Sequence, residues 1–186
     1  MTENLEDIIE GCRHKNPKPQ HLLYERFSAR MFGVCLRYAG SYEDAQDVLH
    51  EGFIKAFEKI GQFQGKGAFE GWLRRIMINT ALEKYRNRYK IINIQDNITE
   101  VEGQGFEELA ENMTANEIMQ FIQELSPKYR LVFNLFAIEG YTHKEISAML
   151  NITEGTSKSD LSRARTILQE KVKKYYNHSI RTGMRI

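Results

Sequence analysis

Residues 142–168 read THKEISAMLNITEGTSKSDLSRARTIL. Thr142, with Glu145 three positions on, has the pattern of a capping box, and Ile146, Met149 and Leu150 then fall on one helical face. Asn151-Ile152-Thr153 reads as a short turn. A second helix starts near Glu154 or Gly155 and runs to about Tyr176, with Leu161, Ala164 and Leu168 placed to pack it onto its partner. Its first turns carry Thr156, Ser157, Lys158, Ser159, Ser162 and Arg163. A short helix, a tight turn and a longer helix with a polar N-terminal half form the helix-turn-helix arrangement, in which the second helix enters the major groove. Hydroxyls and helix-terminal N–H groups hold phosphates, and Arg and Lys read guanine edges, each good contact giving roughly 1–3 kcal/mol of discrimination. A helical hairpin without a ligand has the same skeleton. The crowding of polar residues at the exposed N-terminal end favours DNA.

Upstream of this stretch the chain is also helical. Ser126-Pro127 is a cap followed by proline at the first helical turn, and the helix from Pro127 to about Glu139 carries Val132, Phe133, Leu135 and Phe136 before Gly140 ends it. Another helical pattern begins near Ala115 with Ile118, Met119, Phe121, Ile122 and Leu125. In the N-terminal half, His21 to Tyr38 repeats apolar residues at spacings of three and four, including Leu22, Leu23, Phe27, Met31, Val34, Cys35 and Tyr38. Ser41 is placed to cap the next helix, with Asp44 in its first turn. That helix buries Ala45, Val48, Leu49, Phe53, Ala56, Phe57 and Ile60, and shows Asp44, Asp47, Glu51, Lys55 and Glu58 on its other face. The glycines of QFQGKGA, residues 62–68, make a loop. A further helix spans about Phe69 to Arg88, with Trp72, Leu73, Ile76, Ala81, Leu82 and Tyr85 at core-like spacing. Met1 to Gln20 reads as a short helix or as disorder, and Tyr175 to Ile186 as a frayed end whose Arg181 and Arg185 could touch phosphate. No strand pattern emerges, so the expected fold is all-α.

Charge divides this all-α chain. Residues 1–90 carry 15 Lys and Arg against 12 Asp and Glu, residues 91–127 carry none against 8, and residues 128–186 carry 11 against 5. Two basic blocks flanking an acidic one predict two small helical domains, residues 1–90 and 114–186, joined by an acidic linker over 91–113, with the helix-turn-helix in the second. The local excess is sharper: Arg74, Arg75, Lys84, Arg86, Arg88 and Lys90 face Glu83 alone between Gly71 and Lys90. A polyanion suits such a surface, although a solvated helix face has the same composition. Phe63, Phe69 and Trp72 surround the Gly-Lys-Gly loop, and Arg74, Arg75 and Asn79 follow. Bases of a single strand stack on such aromatics at about 1–3 kcal/mol each while cations follow the backbone. A glycine loop can also admit a flipped base. Core packing is the competing reading, above all for Trp72.

Other classes fit poorly. A mean hydropathy of -0.52 and the lack of any long apolar run exclude an integral membrane segment. The first thirty residues lack a signal core, and Cys12 and Cys35 suggest neither a disulfide framework nor a metal pair, so a cytoplasmic location is expected. His14, His21, His50, His143 and His178 are dispersed without HExxH or CxxC spacing. No enzyme activity, catalytic residue, metal or cofactor is expected.

Two runs now combine. DAQDVLHEGFIKAFEKIGQFQGKGAFEGWLRRIMINTALEKYR resembles region two of the bacterial sigma factors, and ELSPKYRLVFNLFAIEGYTHKEISAMLNITEGTSKSDLSRAR resembles their region four. Together they resemble the small extracytoplasmic-function (ECF) group, and EGTSKSDLSRAR is similar to members from the Bacteroidetes. The resemblance implies a factor that binds core RNA polymerase, directs it to promoters and opens DNA. It implies that Asp44, Asp47, Leu49, His50, Glu51 and Phe53 dock on the polymerase. It also implies that Phe63, Lys66 and Asn79 capture a flipped minus-ten base, with Trp72 and Arg75 supporting or contacting the strand. Thr156, Lys158, Ser159 and Arg163 would read the minus-thirty-five element. Ser162 stands where some relatives have an aromatic. The partners implied are core RNA polymerase, promoter DNA in duplex and single-stranded form, and an anti-sigma factor. A repressor or activator with a helix-turn-helix explains the second half of the chain but not the aromatic-cation block.

Overall fold

The computed structural model describes residues 4–91 and 113–182, and these are helical with no strand among them. The chain divides into two compact units, Met1–Lys84 and Tyr85–Ile186. Most of the expected linker, residues 92–112, lies outside the described residues.

The first unit holds α1 (Leu5–Arg13), α2 (Pro17–Tyr38), α3 (Tyr42–Lys59), a 3-10 turn (Ile60–Gln62) and α4 (Phe69–Ile91) as far as Lys84. Residues 5–13 resolve to a helix because Ile8, Ile9 and Cys12 share one face and are buried. Helix α2 starts at Pro17, four residues before the apolar period begins. Asn16 Oδ1 accepts from Lys18 N at 3.2 Å, and proline at the first position gives up an N–H that had no intrahelical partner. Ser41 caps α3 as expected, its Oγ accepting from Asp44 N at 3.1 Å. The core joins Leu23, Met31 and Val34 of α2 to Ala45, Val48 and Phe53 of α3 and to Leu73 and Met77 of α4. Fully burying such a side chain stabilises by roughly 1.5–3 kcal/mol. A Cβ at Gly52 would lie 2.2 Å from Met77 Sδ, so α3 and α4 meet closely there. Cys12 and Cys35 belong to this core as well, and burial pushes the Cys35 thiol up to about 12.

The second unit holds α5 (Ala115–Gln123), α6 (Pro127–Phe133), a π-helical turn (Asn134–Ile138), α7 (His143–Leu150) and α8 (Glu154–Thr182). The single helix expected from Pro127 to Glu139 therefore changes pitch midway. Glu139 N donates to Asn134 O at 3.0 Å, five residues back, and the buried Asn134 side chain donates to Arg130 O at 2.9 Å. Ser126 precedes α6 without a side-chain cap bond, so Pro17 and Pro127 share a position but not a capping partner. Helix α8 runs beyond Tyr175, where a frayed end is expected. Val172 is buried, the Tyr175 hydroxyl donates to Glu117 of α5, and Lys171 pairs with Glu124.

Replacing Leu73, which has no exposed surface, with alanine should remove about 2–5 kcal/mol of unfolding free energy in urea titration. Lys59→Ala, on the exposed end of α3, should stay within about 0.5 kcal/mol.

Candidate nucleic-acid interface

Loop 63–68 and helix α4 build the first candidate surface. Gly65 and Gly67 sit at φ +72° and +93°, conformations that side-chain-bearing residues rarely adopt, and so Lys66 is held out in solvent between them. Phe63, Phe69 and Trp72 form one aromatic cluster with ring centroids 5.2 to 5.6 Å apart. Phe69 is its buried member; Phe63 and Trp72 are half-buried. Trp72 is thus neither core nor free surface: it leans on the core and keeps part of its ring open. With Leu73 and Met77 turned inward, Arg75 and Asn79 are exposed, and positions 72, 75 and 79 follow one another along one side of the helix.

Of the two readings open for residues 1–20, a short helix or disorder, the helix holds, and α1 also joins this surface, which nothing in the sequence announced. Arg13 Nη2 donates to the Phe63 carbonyl at 2.7 Å, and a groove of about 630 Å³ runs between α1 and the loop. Glu6, Asp7 and Glu10 line one side and Phe63, Gly65 and Gly67 the other. The amphipathic spacing of Ile8, Ile9 and Cys12 was the available signal for the helix; nothing local signalled its link to the loop.

The second surface is the helix-turn-helix. Thr142 and Glu145 form a reciprocal capping box at α7, with Oγ1 accepting from Glu145 N at 3.3 Å and Glu145 Oε2 accepting from Thr142 N at 2.8 Å. Those bonds hold the Glu145 carboxyl below its ordinary range. Asn151 ends α7 in the left-handed region, and Thr153 Oγ1 accepts from Thr156 N at 3.0 Å to start α8. Ser157, Leu161, Ala164 and Leu168 are buried. Lys158 and Ser162 are exposed, while Thr156, Ser159 and Arg163 are half-buried. The Thr156 hydroxyl is shared with Thr153 Oγ1 at 2.9 Å, and the Ser159 hydroxyl donates to Thr156 O at 3.3 Å. Their bonds fix these two hydroxyls at the helix start, which leaves Lys158 as the most accessible of the four expected readers.

His143 joins the two helices. Its Nδ1 lies 2.9 Å from Ser157 Oγ, and its ring stacks on Phe136 at 4.6 Å with Arg165 over the other ring. Burial first, then the charge of Lys158, holds His143 below its ordinary value of 6.5, with Glu154 opposing and Arg165 adding to the lowering.

On α3, Asp47, His50 and Glu51 are exposed and Asp44 is half-buried. Leu49 and Phe53, expected beside them on a docking face, are 5% and 2% exposed and belong to the core. Among the described residues no group of three or more His, Cys, Asp and Glu side chains could hold a metal ion, and no helix is long and apolar enough to cross a membrane.

Residues 23–91 match Sigma-70 region 2, and residues 115–168 match Sigma-70, region 4. The chain belongs to the sigma-70 family of RNA polymerase sigma factors. Within it, similarity points to the ECF group. The ECF RNA polymerase sigma-E factor of Escherichia coli (strain K12) is 29% identical over 92% of this chain and 97% of its own length. The RNA polymerase sigma-H factor of Pseudomonas aeruginosa is 29% identical over 90% and 93%. The fold is shared with the sigma factor RpoE of Bartonella quintana, solved with the anti-sigma factor NepR: TM-score 0.51, 20% identity, covering 81% of this chain and 94% of that one. In this sigma factor the region 2 match contains the aromatic cluster and the α3 acids, and the region 4 match contains the capping box and the first turns of α8.

The sigma factor's His143 predicts a pH dependence. An unfolded chain protonates this ring near its ordinary value, the folded chain only at lower pH. Stability from the neutral ring is therefore complete above about pH 6.5 and is lost as pH falls through that value towards the folded one. Thermal melting from about pH 7.5 to about pH 5.5 should show that loss in the wild type, and His143→Gln should flatten it.

Proposed function

We propose that residues 1–90 dock on core RNA polymerase and capture the minus-ten element, and that residues 114–186 read the minus-thirty-five element. The acidic segment 91–113 is the connection, its charge suited to a basic channel. Asp44, Asp47, His50 and Glu51 supply the docking contacts, and Leu49 and Phe53 support them from beneath. Phe63, Lys66 and Asn79 hold an unstacked base, while Trp72 and Arg75 carry the adjoining strand. Thr156, Lys158, Ser159 and Arg163 address the minus-thirty-five duplex. The observation that carries the reading is the row of Trp72, Arg75 and Asn79 beside an open aromatic cluster: stacking surface, cation and amide on one side of one helix.

No bond chemistry is involved, and the factor works without catalysis. Opening follows from differential binding: a surface that prefers the flipped, single-stranded form shifts the equilibrium towards it. Unstacking costs a few kcal/mol, offset by the pocket and by backbone contacts. An anti-sigma factor is a further partner in this reading; it comes from the family resemblance. The EGTSKSDLSRAR form supports a Bacteroidetes-like lineage, and the two cysteines, which suggest neither a disulfide framework nor a metal pair, support action in the cytoplasm.

Transcription in vitro with host core polymerase and genomic fragments tests the reading, since start sites should appear only when factor and core are both present. Dimeric, polymerase-independent binding to one promoter would favour a repressor or activator instead. Asn79→Ala should impair transcription from a duplex promoter far more than from one carrying a premelted bubble; equal defects would contradict a melting role. Lys158→Ala with Arg163→Ala should lower duplex-promoter transcription while co-purification with core polymerase is retained.

A further inference from the structure

Three acids of α3, Asp44, Asp47 and Glu51, are paired with lysines. Lys84 Nζ, from α4, lies 3.2 Å from Asp44 Oδ1 and 3.1 Å from Asp47 Oδ2. Lys55 Nζ lies 2.7 Å from Glu51 Oε1 and 2.6 Å from Glu83 Oε2, the latter on α4. The lysine side chains are only 25% and 23% exposed, whereas those of Asp47 and Glu51 are 72% and 52% exposed. The stems thus lie against the protein and the ammonium groups meet the acids from within. A carboxylate has about four lone-pair sites, so an outside cation can still approach Asp47 and Glu51. It does so against a field that one lysine, shared between two acids, has partly cancelled.

We propose that Lys84 and Lys55 compete, from inside the molecule, with the cations of the polymerase for the acids of α3, and so set how tightly this face docks. The inference rests on the docking reading given above and adds to it two residues that need not touch the polymerase. Glu83 has the opposite role. It shares the charge of Lys55 with Glu51 and so leaves Glu51 more available.

A purely structural zipper between α3 and α4 makes a different prediction. Breaking either cross-helix pair would then loosen the unit and weaken docking alike. Competition requires opposite signs: loss of Lys84 strengthens docking and loss of Glu83 weakens it. Exposed ion pairs exchange at small cost, and such effects fade with added salt.

The test titrates the full-length chain, and its Lys84→Met and Glu83→Gln variants, against purified host core polymerase at low and high salt. Lys84→Met should tighten binding about two- to fivefold at low salt, with a smaller gain at high salt. Glu83→Gln should weaken it by a similar factor. Lys59→Met, removing a charge from the exposed end of α3, controls for net charge and should change little. Weakening by both variants, no change in either, or an equal gain from Lys59→Met would overturn the proposal while leaving the docking reading intact, provided the wild type binds core. Failure of the wild type to bind core would remove both. Should Lys84→Met fail to fold by circular dichroism, the sign of the Glu83→Gln effect decides alone.

Discussion

A helix that buries one stripe has to present the opposite one, and that geometric constraint decides which side chains of this protein can meet a partner. In α4, turning Leu73 and Met77 into the core sends Arg75 and Asn79 to solvent. In α8, sinking Ser157, Leu161 and Ala164 leaves Lys158 and Ser162 outside. The candidate surfaces are thus consequences of core packing, and a shift of one residue in either helix would rotate them by about a quarter turn. The caps guard against such a shift. The Thr142–Glu145 box sets where α7 begins, and the Thr153 hydroxyl does the same for α8.

How much of this could be read beforehand followed the range of the interactions. Ser41, Thr142 and the glycines of the loop act within a few residues, so their roles stood in the sequence. The π-helical turn did not, because it depends on Asn134 being buried and bonding back to Arg130, which composition does not disclose. The C-terminal end looked frayed because its anchor, Glu117, is 58 positions away from Tyr175. The bond from Arg13 to Phe63 and the pairs between Asp47, Lys84, Lys55 and Glu83 are likewise tertiary. At the site itself, helical spacing placed Leu49 and Phe53 inside and Asp47 and Glu51 outside, as they are, whereas the resemblance grouped all four on one docking face.

The energetic picture is one of small terms added together. An aromatic stack, a phosphate contact or an exposed ion pair each contributes on the order of 1 kcal/mol. None would hold a flipped base alone. A factor built this way gains selectivity when its two units engage the same promoter while both are carried by polymerase, since each then raises the effective concentration of the other's target. His143 and the lysines of the α3 face belong to the same scheme. In the proposed reading they act on the pose or the field of the residues that meet DNA and polymerase.

Permanganate reactivity of promoter thymines tests the central claim most directly. With this protein and core polymerase together, thymines in the minus-ten region should become reactive, whereas either component alone should leave them protected, and Asn79→Ala should restore protection on duplex DNA. Reactivity produced by core polymerase alone, or thymines that stay protected in a complex shown to contain all three components, would contradict the account.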